Sequence, residues 1–436
     1  HAEYEEIQQG CDRLINESSK MLFNEDIDSL VLMNTLSYPW KGSVKVPKSF
    51  EQCELIDKDG DKIPLQKIDD GVLAYVELDA LSFTNFKKGD NLVCDIEKSK
   101  NLALENDLVK YEFDNDGALV SAFDKELQKE FMAESGNILS LYEDRPNNWD
   151  AWDVDFFYRD ALIETARAVE VSSLSAGSVI QQLRVMLRIG NSKIDQTITL
   201  HPHSKRLDFI THVDWIESHK MLRVHFPVNV RSEQASFDIQ YGYVRRNTHR
   251  NTSWDRAKFE VVGHKYADIS DHDNGIALLN DCKYGYMVHD NILDLNLLRS
   301  PSNPDPDADK GTHRFTYSLL PHQNDLINSS VLAESACLNQ EPLLFEGMVS
   351  EIDIPIKLFG EGLELSVFKK AEKEDVWILR IIETLGKKSS GSVQFNGELV
   401  ECDLMEWSDV GESHFIEDSF NLTLDPFEIK TFKVSF

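Results

Sequence analysis

The sequence predicts a mostly β protein, a large antiparallel β-sandwich with smaller β-domains and a short N-terminal helix. Two observations lead to this fold class. After residue 29 the chain consists mainly of short runs rich in apolar residues, many of them alternating with polar ones, and Gly, Pro, Asp or Asn separates the runs. A clear helical spacing of apolar residues occurs only before residue 23. The alternation is typical of strands that bury one face against a second sheet.

The N-terminal part predicts one helix followed by a small β-domain. Over residues 4–22, Tyr4, Ile7, Cys11 and Leu14 fall on one face of a helix, so we expect the end of an amphipathic helix there. Short strand-like runs then follow, separated by Pro, Gly and Asp, and they predict a small β-domain over residues 30–98. These runs are "LVLMN" (30–34), "GSVKVP" (42–47), "VLAYVEL" (72–78) and "NLVCDI" (91–96).

The strands lengthen from residue 99 onward and predict the large sandwich over 99–340. "DNDG" at 114–117 predicts a hairpin turn, because Asp, Asn and Gly tolerate positive φ. A weak helix is expected over 324–339, and a last β-domain over 341–436. The long strand candidates of the sandwich are 179–190, 192–202, 206–217 and 221–230, and those of the last domain are 351–359, 376–385, 391–397 and 427–436.

Composition excludes several classes of protein. The net charge of −31 argues against a nucleic-acid partner, which would require a basic surface. No apolar run reaches 18 residues, so no membrane span is predicted. The six cysteines are scattered without a CxxC pair, which favours a reduced, cytoplasmic setting. Motifs of dinucleotide-binding proteins, P-loop NTPases, serine hydrolases and zinc proteases are absent from the sequence.

Two His/Asp pairs have the residue types of a metal site. His212 and Asp214 are two positions apart in a predicted strand, so their side chains share a face and could reach one ion. The strong alternation around them favours a solvated or hydrogen-bonded sheet face instead. His289 and Asp290 would lie on opposite faces of a strand, which argues against a metal site. No metal ligand is therefore predicted in this chain.

The stretch "NNWDAWDVD" (147–155) is the richest cluster of functional residue types. Indole rings stack on the C–H faces of sugars, and carboxylates accept hydrogen bonds from sugar hydroxyls. If residues 149–153 were extended, Trp149 and Asp153 would share one face, and Asp150 and Trp152 the other. The alternative is a packed corner in which an Asp satisfies a buried indole N–H. The residue chemistry alone leaves both interpretations open.

Two further segments are candidates for function. Residues 241–270 form the only locally basic stretch, with Arg245, Arg246, Arg250 and Arg256. Internal pairing with acids is the favoured interpretation there, and a functional rim is the alternative. The Pro/Asp-rich loop within 297–322 is too long for a hairpin turn and offers Arg299, Asp309 and His313 as reactive residues, with a solvated loop as the alternative.

Taken together and in this order, seven stretches resemble the C-terminal half of glycoside hydrolase family 38, the α-mannosidases, in its cytosolic and bacterial branch. The resemblance covers nearly the whole chain. The stretches are "LVLMNTLSYPWKGSVKVP", "LENDLVKYEFDNDGALVSAFDKE", "LYEDRPNNWDAWDVDFFY", "YGYVRRNTHRNTSWDRAKFE", "GIALLNDCKYGY", "LLRSPSNPDPDADKGTHRFTYSLLPH" and "ILRIIETLG".

The resemblance implies a retaining exo-α-mannosidase that acts on mannose-containing oligosaccharides in mannose metabolism. It implies an Asp nucleophile, a second carboxylate as acid and base, and a divalent metal such as zinc that holds two sugar hydroxyls. The family's nucleophile and metal ligands lie in an N-terminal catalytic domain and a helical bundle, which no stretch here matches. We therefore expect this chain to contain no catalytic residue, to bind no metal and to be inactive alone. Residues 1–29 would be the remnant of the bundle, and the N-terminal catalytic domain would be a partner of this chain.

The resemblance also implies site residues, because β-domain loops of the family close one side of the sugar pocket. Asp150, Trp152 and Asp153 are the first candidates for lining that pocket, and Trp149 is next. Arg299, Asp309 and His313 form the second group, and the alternative for both groups is that they only seat the β-domain on the bundle. A rival function is a stand-alone carbohydrate-binding β-sandwich, and a purely structural interaction module is a third. A homo-oligomer is left open.

Overall fold

The structure is a computed structural model that describes residues 2–91, 101–349 and 356–436. It divides into two compact units. The first, here the composite unit, contains the described residues before 92 and after 339, and the second, the core unit, contains residues 101–339. The predicted strands 91–96 and 351–359 fall outside the described residues except for Asn91 and residues 356–359.

The composite unit begins with the helix Ala2–Leu22, which confirms the helix predicted over 4–22. Its apolar face lies in solvent, since Tyr4, Ile7, Leu14 and Met21 are all exposed. No helix in the described part of the chain is both long enough and apolar enough to cross a membrane.

The sheets of the composite unit combine strands from both ends of the chain. Strand Leu343–Glu346 pairs antiparallel with Ser29–Asn34, so the predicted N-terminal and C-terminal β-regions share a sheet. Sequence spacing does not indicate such a pairing. Among the described residues the four sheets, in strand order, are Leu343–Glu346, Ser29–Asn34, Ser82–Asn91, Cys53–Ile56; Trp40–Lys45, Gly71–Leu78, Leu65–Ile68; Lys357–Phe359, Ser389–Gln394, Ser419–Leu424; and Leu363–Lys370, Trp377–Glu383, Ile429–Ser435, Gly397–Cys402, His414–Ile416.

The core unit contains a nine-stranded, a six-stranded and a four-stranded sheet within residues 101–339, all paired antiparallel. Short helices Ser253–Ala257 and Val331–Asn339 and the 3-10 turn Phe156–Ala161 accompany them. The nine-stranded order is Arg167–Ala176, Gln181–Ile189, Ser192–Leu200, Leu207–Trp215, Gly311–Gln323, Asn274–Asn280, Tyr266–Ser270, Gln234–Ile239, Gly242–Asn247. The six-stranded order is Leu162–Thr165, Ile138–Glu143, Lys220–Pro227, Ile292–Arg299, Gly285–His289, Val261–Val262, and the four-stranded order is Lys129–Glu130, Leu119–Asp124, Val109–Phe113, Ala103–Glu105.

One hydrophobic core lies between these sheets, as the alternation predicts. In strand Leu207–Trp215 the side chains of Phe209, Val213 and Trp215 are fully buried, whereas His212 points to the opposite face. Phe209 stacks on Tyr317 of the neighbouring strand with ring centroids 5.1 Å apart. Each buried side chain of this size contributes about 1.5–3 kcal/mol. The mostly β class and the large antiparallel sandwich are therefore confirmed.

The two local predictions within the core unit are also confirmed. At "DNDG", the N–H of Gly117 donates to the carbonyl of Asp114, and Gly117 has a φ of 77°. The turn joins two paired strands, as a hairpin requires. The expected weak helix is present as Val331–Asn339.

Candidate functional site

The stretch around Trp152 forms a tight turn, so the extended arrangement considered for 149–153 is wrong. The N–H groups of Trp152 and Asp153 both donate to the carbonyl of Trp149, at 2.8 and 2.9 Å, and Trp149 has a φ of 59°. Residues in one turn do not alternate between two faces. Both indoles lie in solvent instead, each 71% exposed. This exposure rules out the packed corner with a buried indole.

Arg299 and Asp150 fix this turn to the end of a core strand. Arg299, the last residue of strand Ile292–Arg299, donates through Nε to Asp144 Oδ2 at 2.6 Å. Its Nη2 donates to the carbonyls of Asp153 at 2.7 Å and Asp150 at 3.2 Å. One guanidinium therefore holds both sides of the turn and neutralises a buried carboxylate.

The Asp150 carboxylate binds the second candidate loop directly. Its Oδ2 accepts hydrogen bonds from the backbone N–H groups of Ser302 at 2.7 Å and Asn303 at 3.0 Å. His219 Nδ1 lies 3.5 Å from Asp150 Oδ1. The two loops singled out in the sequence thus meet, through Asp150 and Arg299, in one site.

The remaining candidates differ in what they contact. Asp153 is exposed, and within the described residues its carboxylate accepts a hydrogen bond only from the neighbouring N–H of Val154, at 2.9 Å. His313 Nε2 lies 2.7 Å from the carbonyl of Asp309, which has a φ of 58°. No contact within the described residues joins Asp309 or His313 to Asp150 or Arg299. A pocket role for these two residues stays a prediction.

A buried charge network, which the sequence reasoning missed, contacts the 3-10 turn Phe156–Ala161 that follows the tryptophans. The fully buried Arg223 donates through Nε to Asp294 Oδ1 at 2.6 Å. Its Nη2 lies 3.1 Å from Glu260 Oε2, outside hydrogen-bond geometry. The hydroxyl of Tyr158, in the 3-10 turn that follows the tryptophans, donates to Glu260 Oε1 at 2.5 Å, and Arg159 Nη2 lies 3.4 Å from Asp294 Oδ2.

Burial governs the protonation of this network. It raises the pKa of Glu260 even though the charge of Arg223 acts in the opposite direction. It also raises the pKa of Tyr158, so the phenol keeps its proton and remains the donor to Glu260. The signal in the sequence was a charged residue inside an apolar strand, Arg223 in "MLRVHFPV" and Asp294 in "ILDLNLL".

Two family models match the chain. The "Glycosyl hydrolases family 38 C-terminal domain" matches residues 104–307, which include the turn, Arg299 and the charge network. The "Glycosyl hydrolases family 38 C-terminal beta sandwich domain" matches residues 362–432. The chain belongs to the C-terminal region of family 38. The resemblance seen in the sequence is thereby confirmed.

Curated relatives of this family 38 region are α-mannosidases. The chain is similar to alpha-mannosidase G of Dictyostelium discoideum, at 36% identity over 77% of this chain and 33% of that protein. It is 35% identical to alpha-mannosidase 2C1 of Homo sapiens over 76% of this chain and 33% of the relative. It is 32% identical to an alpha-mannosidase of Saccharomyces cerevisiae over 73% of this chain and 33% of that protein. The chain therefore spans about a third of the length of these relatives.

Solved structures support the same fold. An alpha-mannosidase from Enterococcus faecalis V583 aligns with a TM-score of 0.74 at 14% identity, covering 96% of this chain and 58% of the other. The chain also aligns with a second Enterococcus faecalis protein, which is described as belonging to glycosyl hydrolase family 38. The TM-score is 0.75 at 16% identity, and the alignment covers 97% of this chain and 60% of the other. At this identity the likeness concerns the fold alone.

The positive charges of the basic stretch 241–270 were expected to pair with acidic side chains, and the described residues do not show such pairs. No ion pair within the described residues joins its four arginines to a carboxylate. They lie against aromatic rings instead, namely those of Tyr243, Phe237 and Phe156. The contacts, measured to ring centroids, are Arg245 to Tyr243 at 5.7 Å, Arg246 to Phe237 at 4.7 Å, Arg250 to Phe156 at 5.5 Å and Arg256 to Phe156 at 4.8 Å.

The two His/Asp pairs are placed differently. His212 and Asp214 share the exposed face of the nine-stranded sheet, as their spacing predicts. His289 ends its strand and Asp290 has a φ of 51°, so their side chains approach to 3.8 Å instead of lying on opposite faces. The described part of the chain contains no group of three His, Cys, Asp or Glu residues that could hold a metal ion.

Proposed function

We propose that this chain is the β-rich C-terminal region of a longer enzyme, a retaining and metal-dependent exo-α-mannosidase that acts on mannose-containing oligosaccharides. Within that enzyme the region lines one edge of the substrate pocket and positions the catalytic domain. We further propose that the enzyme works in the cytoplasm. The α-mannosidase relatives support this assignment, because the segment that matches this chain is about a third of each relative.

The observation that carries the proposal is the pair of exposed tryptophans on a rigid turn. Trp149 and Trp152 present their rings to solvent, while Arg299 and Asp150 fix the backbone beneath them. Exposed apolar side chains that are grouped together mark interaction sites, and a fixed backbone reduces the entropy lost on binding. An indole held in this way is suited to stack on the C–H face of a mannose ring.

The divalent metal, such as zinc, belongs in this proposal to the longer enzyme. When bound, it would hold two sugar hydroxyls. The residues described here do not fit it, because no three potential ligands converge within them. Following the family resemblance, the proposal assigns the chemical steps to residues outside this chain, and the side chains of this region bind and orient the sugar.

Substitution of Trp152 in the full-length enzyme tests the pocket role. Trp152→Ala should lower kcat/KM for an α-mannoside tenfold or more, equivalent to about 1.4 kcal/mol. Trp407→Ala, which removes an exposed indole of the composite unit, is the matched control and should leave kcat/KM unchanged. An unchanged kcat/KM in Trp152→Ala would favour a purely structural module.

The rival function, a stand-alone carbohydrate-binding sandwich, makes a separate prediction. It requires this chain alone to bind sugar. Titration calorimetry of this chain with mannose and mannobiose distinguishes the rival from the proposed function. Micromolar affinity would favour the rival, whereas the absence of measurable binding is expected if this chain supplies only one edge of the pocket.

A further inference from the structure

Arg250 and Arg256 carry positive charge and form no ion pair within the described residues. The chain has 76 acidic and 45 basic residues, so a free arginine pair is unexpected. Both guanidinium groups nevertheless lie over the ring of Phe156, at 5.5 and 4.8 Å from its centroid. No described side chain accepts a hydrogen bond from either guanidinium. Their N–H donors therefore remain available to a ligand.

The neighbouring carboxylates already have other partners. Arg223 and Tyr158 contact Glu260, and Arg223 also holds Asp294. Thr252 and Asn247 donate to Asp255, and Asp290 lies beside His289. Of these acids, none forms an ion pair with Arg250 or Arg256 within the described residues, so the positive charge is not neutralised by direct contact.

The position of Phe156 connects this charge with the candidate sugar edge. Phe156 follows Trp152 by four residues and begins the 3-10 turn Phe156–Ala161. Phe259 packs edge-on against its ring at 5.3 Å and holds it in place. Burial, the largest cause, and the nearby charge of Arg159 lower the pKa of Arg250, whereas Glu260 and Asp290 act in the opposite direction.

We propose that Arg250 and Arg256 bind an oxyanion, a phosphate or carboxylate group carried by the saccharide ligand. The planar fork of arginine matches the oxygen atoms of both groups. The assignment of the oxyanion to a saccharide rests on the proposed function, which places the sugar at the adjoining turn. The site would then select substrates or products that bear a charged substituent.

Calorimetry on the 436-residue chain at low ionic strength tests the site. Inorganic phosphate should bind with one site per chain, and hexose 6-phosphate should bind more tightly than inorganic phosphate or the unmodified hexose. The double variant Arg250→Gln and Arg256→Gln should weaken the binding of both anions tenfold or more. Arg188→Gln with Arg314→Gln removes the same charge from exposed positions of the core unit and should leave binding unchanged.

Four results would overturn the inference, and three of them concern the 436-residue chain. In the first two, the unaltered chain does not bind phosphate, or the control variant Arg188→Gln with Arg314→Gln loses as much affinity for phosphate as the test variant does. The third is an equal affinity of the unaltered chain for free phosphate and hexose 6-phosphate. Loss of phosphate binding in the full-length protein would also overturn it, because an acidic segment of that protein would then occupy the site. An unchanged thermal midpoint of the double variant establishes that weaker binding does not reflect unfolding.

The same experiment separates this inference from the proposed function. If neutral α-mannosides are hydrolysed by the full-length enzyme but no anion binds, only the oxyanion site fails. If phosphate binds as expected but no α-mannoside is hydrolysed, the proposed function fails and the anion site at Arg250 and Arg256 stands.

Discussion

Two buried arginines in the core unit form networks of the same chemistry but of different completeness. Arg206 makes two hydrogen bonds to Asp208, at 2.8 and 3.1 Å, and a third to Glu334 at 2.9 Å. Arg223 makes one to Asp294, at 2.6 Å, and approaches Glu260 without hydrogen-bond geometry. The first network is closed, whereas the second leaves a carboxylate incompletely compensated.

The protonation of the carboxylates reflects this difference. Burial favours the neutral form of both Asp208 and Glu260. The charge and hydrogen bonds of Arg206 outweigh burial and lower the pKa of Asp208, whereas Arg223 does not offset burial and the pKa of Glu260 is raised. The closed network ties helix Val331–Asn339 to the nine-stranded sheet, and the open one contacts the 3-10 turn that follows the tryptophans in the chain. Incomplete pairing therefore occurs next to the candidate site in the sequence.

Removal of one acid from each network should give the largest effect. Asp208→Ala and Asp294→Ala each remove the carboxylate that a buried arginine contacts most closely, so the free energy of unfolding should fall by about 3–5 kcal/mol in urea denaturation. Only Asp294→Ala should also speed amide hydrogen exchange over residues 156–161, because Asp294 contacts Arg159 of that turn. Equal exchange over this turn in both variants would contradict the comparison.

The pH dependence of stability should come in part from His201, whose Nε2 lies 3.7 Å from Asp208 Oδ2 of the closed network. Burial lowers the pKa of His201 from 6.5 to about 4. Between these values the unfolded chain binds a proton that the folded chain does not, so stability falls as the pH drops from 6.5 to about 4, by roughly 2–3 kcal/mol. His201→Gln should flatten this part of the curve, and the exposed His212→Gln should not. Parallel curves for His201→Gln and the unaltered protein would show that His201 has no such role.

The smallest expected effect concerns the loop contact of Asp150. Asp150→Ala removes two charge-assisted hydrogen bonds, so the local free energy of opening at Ser302 and Asn303 should fall by about 1–2 kcal/mol. Hydrogen exchange of these two amides measures it. Asp153→Ala is the matched control, since its carboxylate reaches only the neighbouring backbone. Similar exchange rates in the two variants would mean that Asp150 does not fix the loops.

Much of the fold could be predicted because its causes are local. The alternation in "RLDFITHVDWIE" separates Phe209, Val213 and Trp215 from His212 and Asp214, and the structure buries the first set and exposes the second. The turn at Asp114–Gly117 likewise depends on nearby residues alone. The extended conformation considered for 149–153 was wrong, because hydrogen bonds to the carbonyl of Trp149 close a turn there.

The candidate site could be predicted only in part. The resemblance to family 38 led to Asp150, Trp152 and Arg299, but their roles differ in ways that residue type does not reveal. Asp150 and Arg299 fix the backbone, and Trp152 faces solvent. The arginines of 245–256 were expected to pair with acids, yet Arg250 and Arg256 lie on Phe156, a ring that the sequence does not place beside them.

The sequence by itself determined the mostly β class, the N-terminal helix, the core-facing residues of the long strands and the family. Each of these depends on short-range periodicity or on ordered motifs along the chain. Only the tertiary structure decided that Asp150 meets Ser302, that Arg223 meets Asp294 and Glu260, and that Arg250 and Arg256 share Phe156. These contacts join residues far apart in the chain, and strand pairing within the folded sheets, which no local pattern specifies, brings them together.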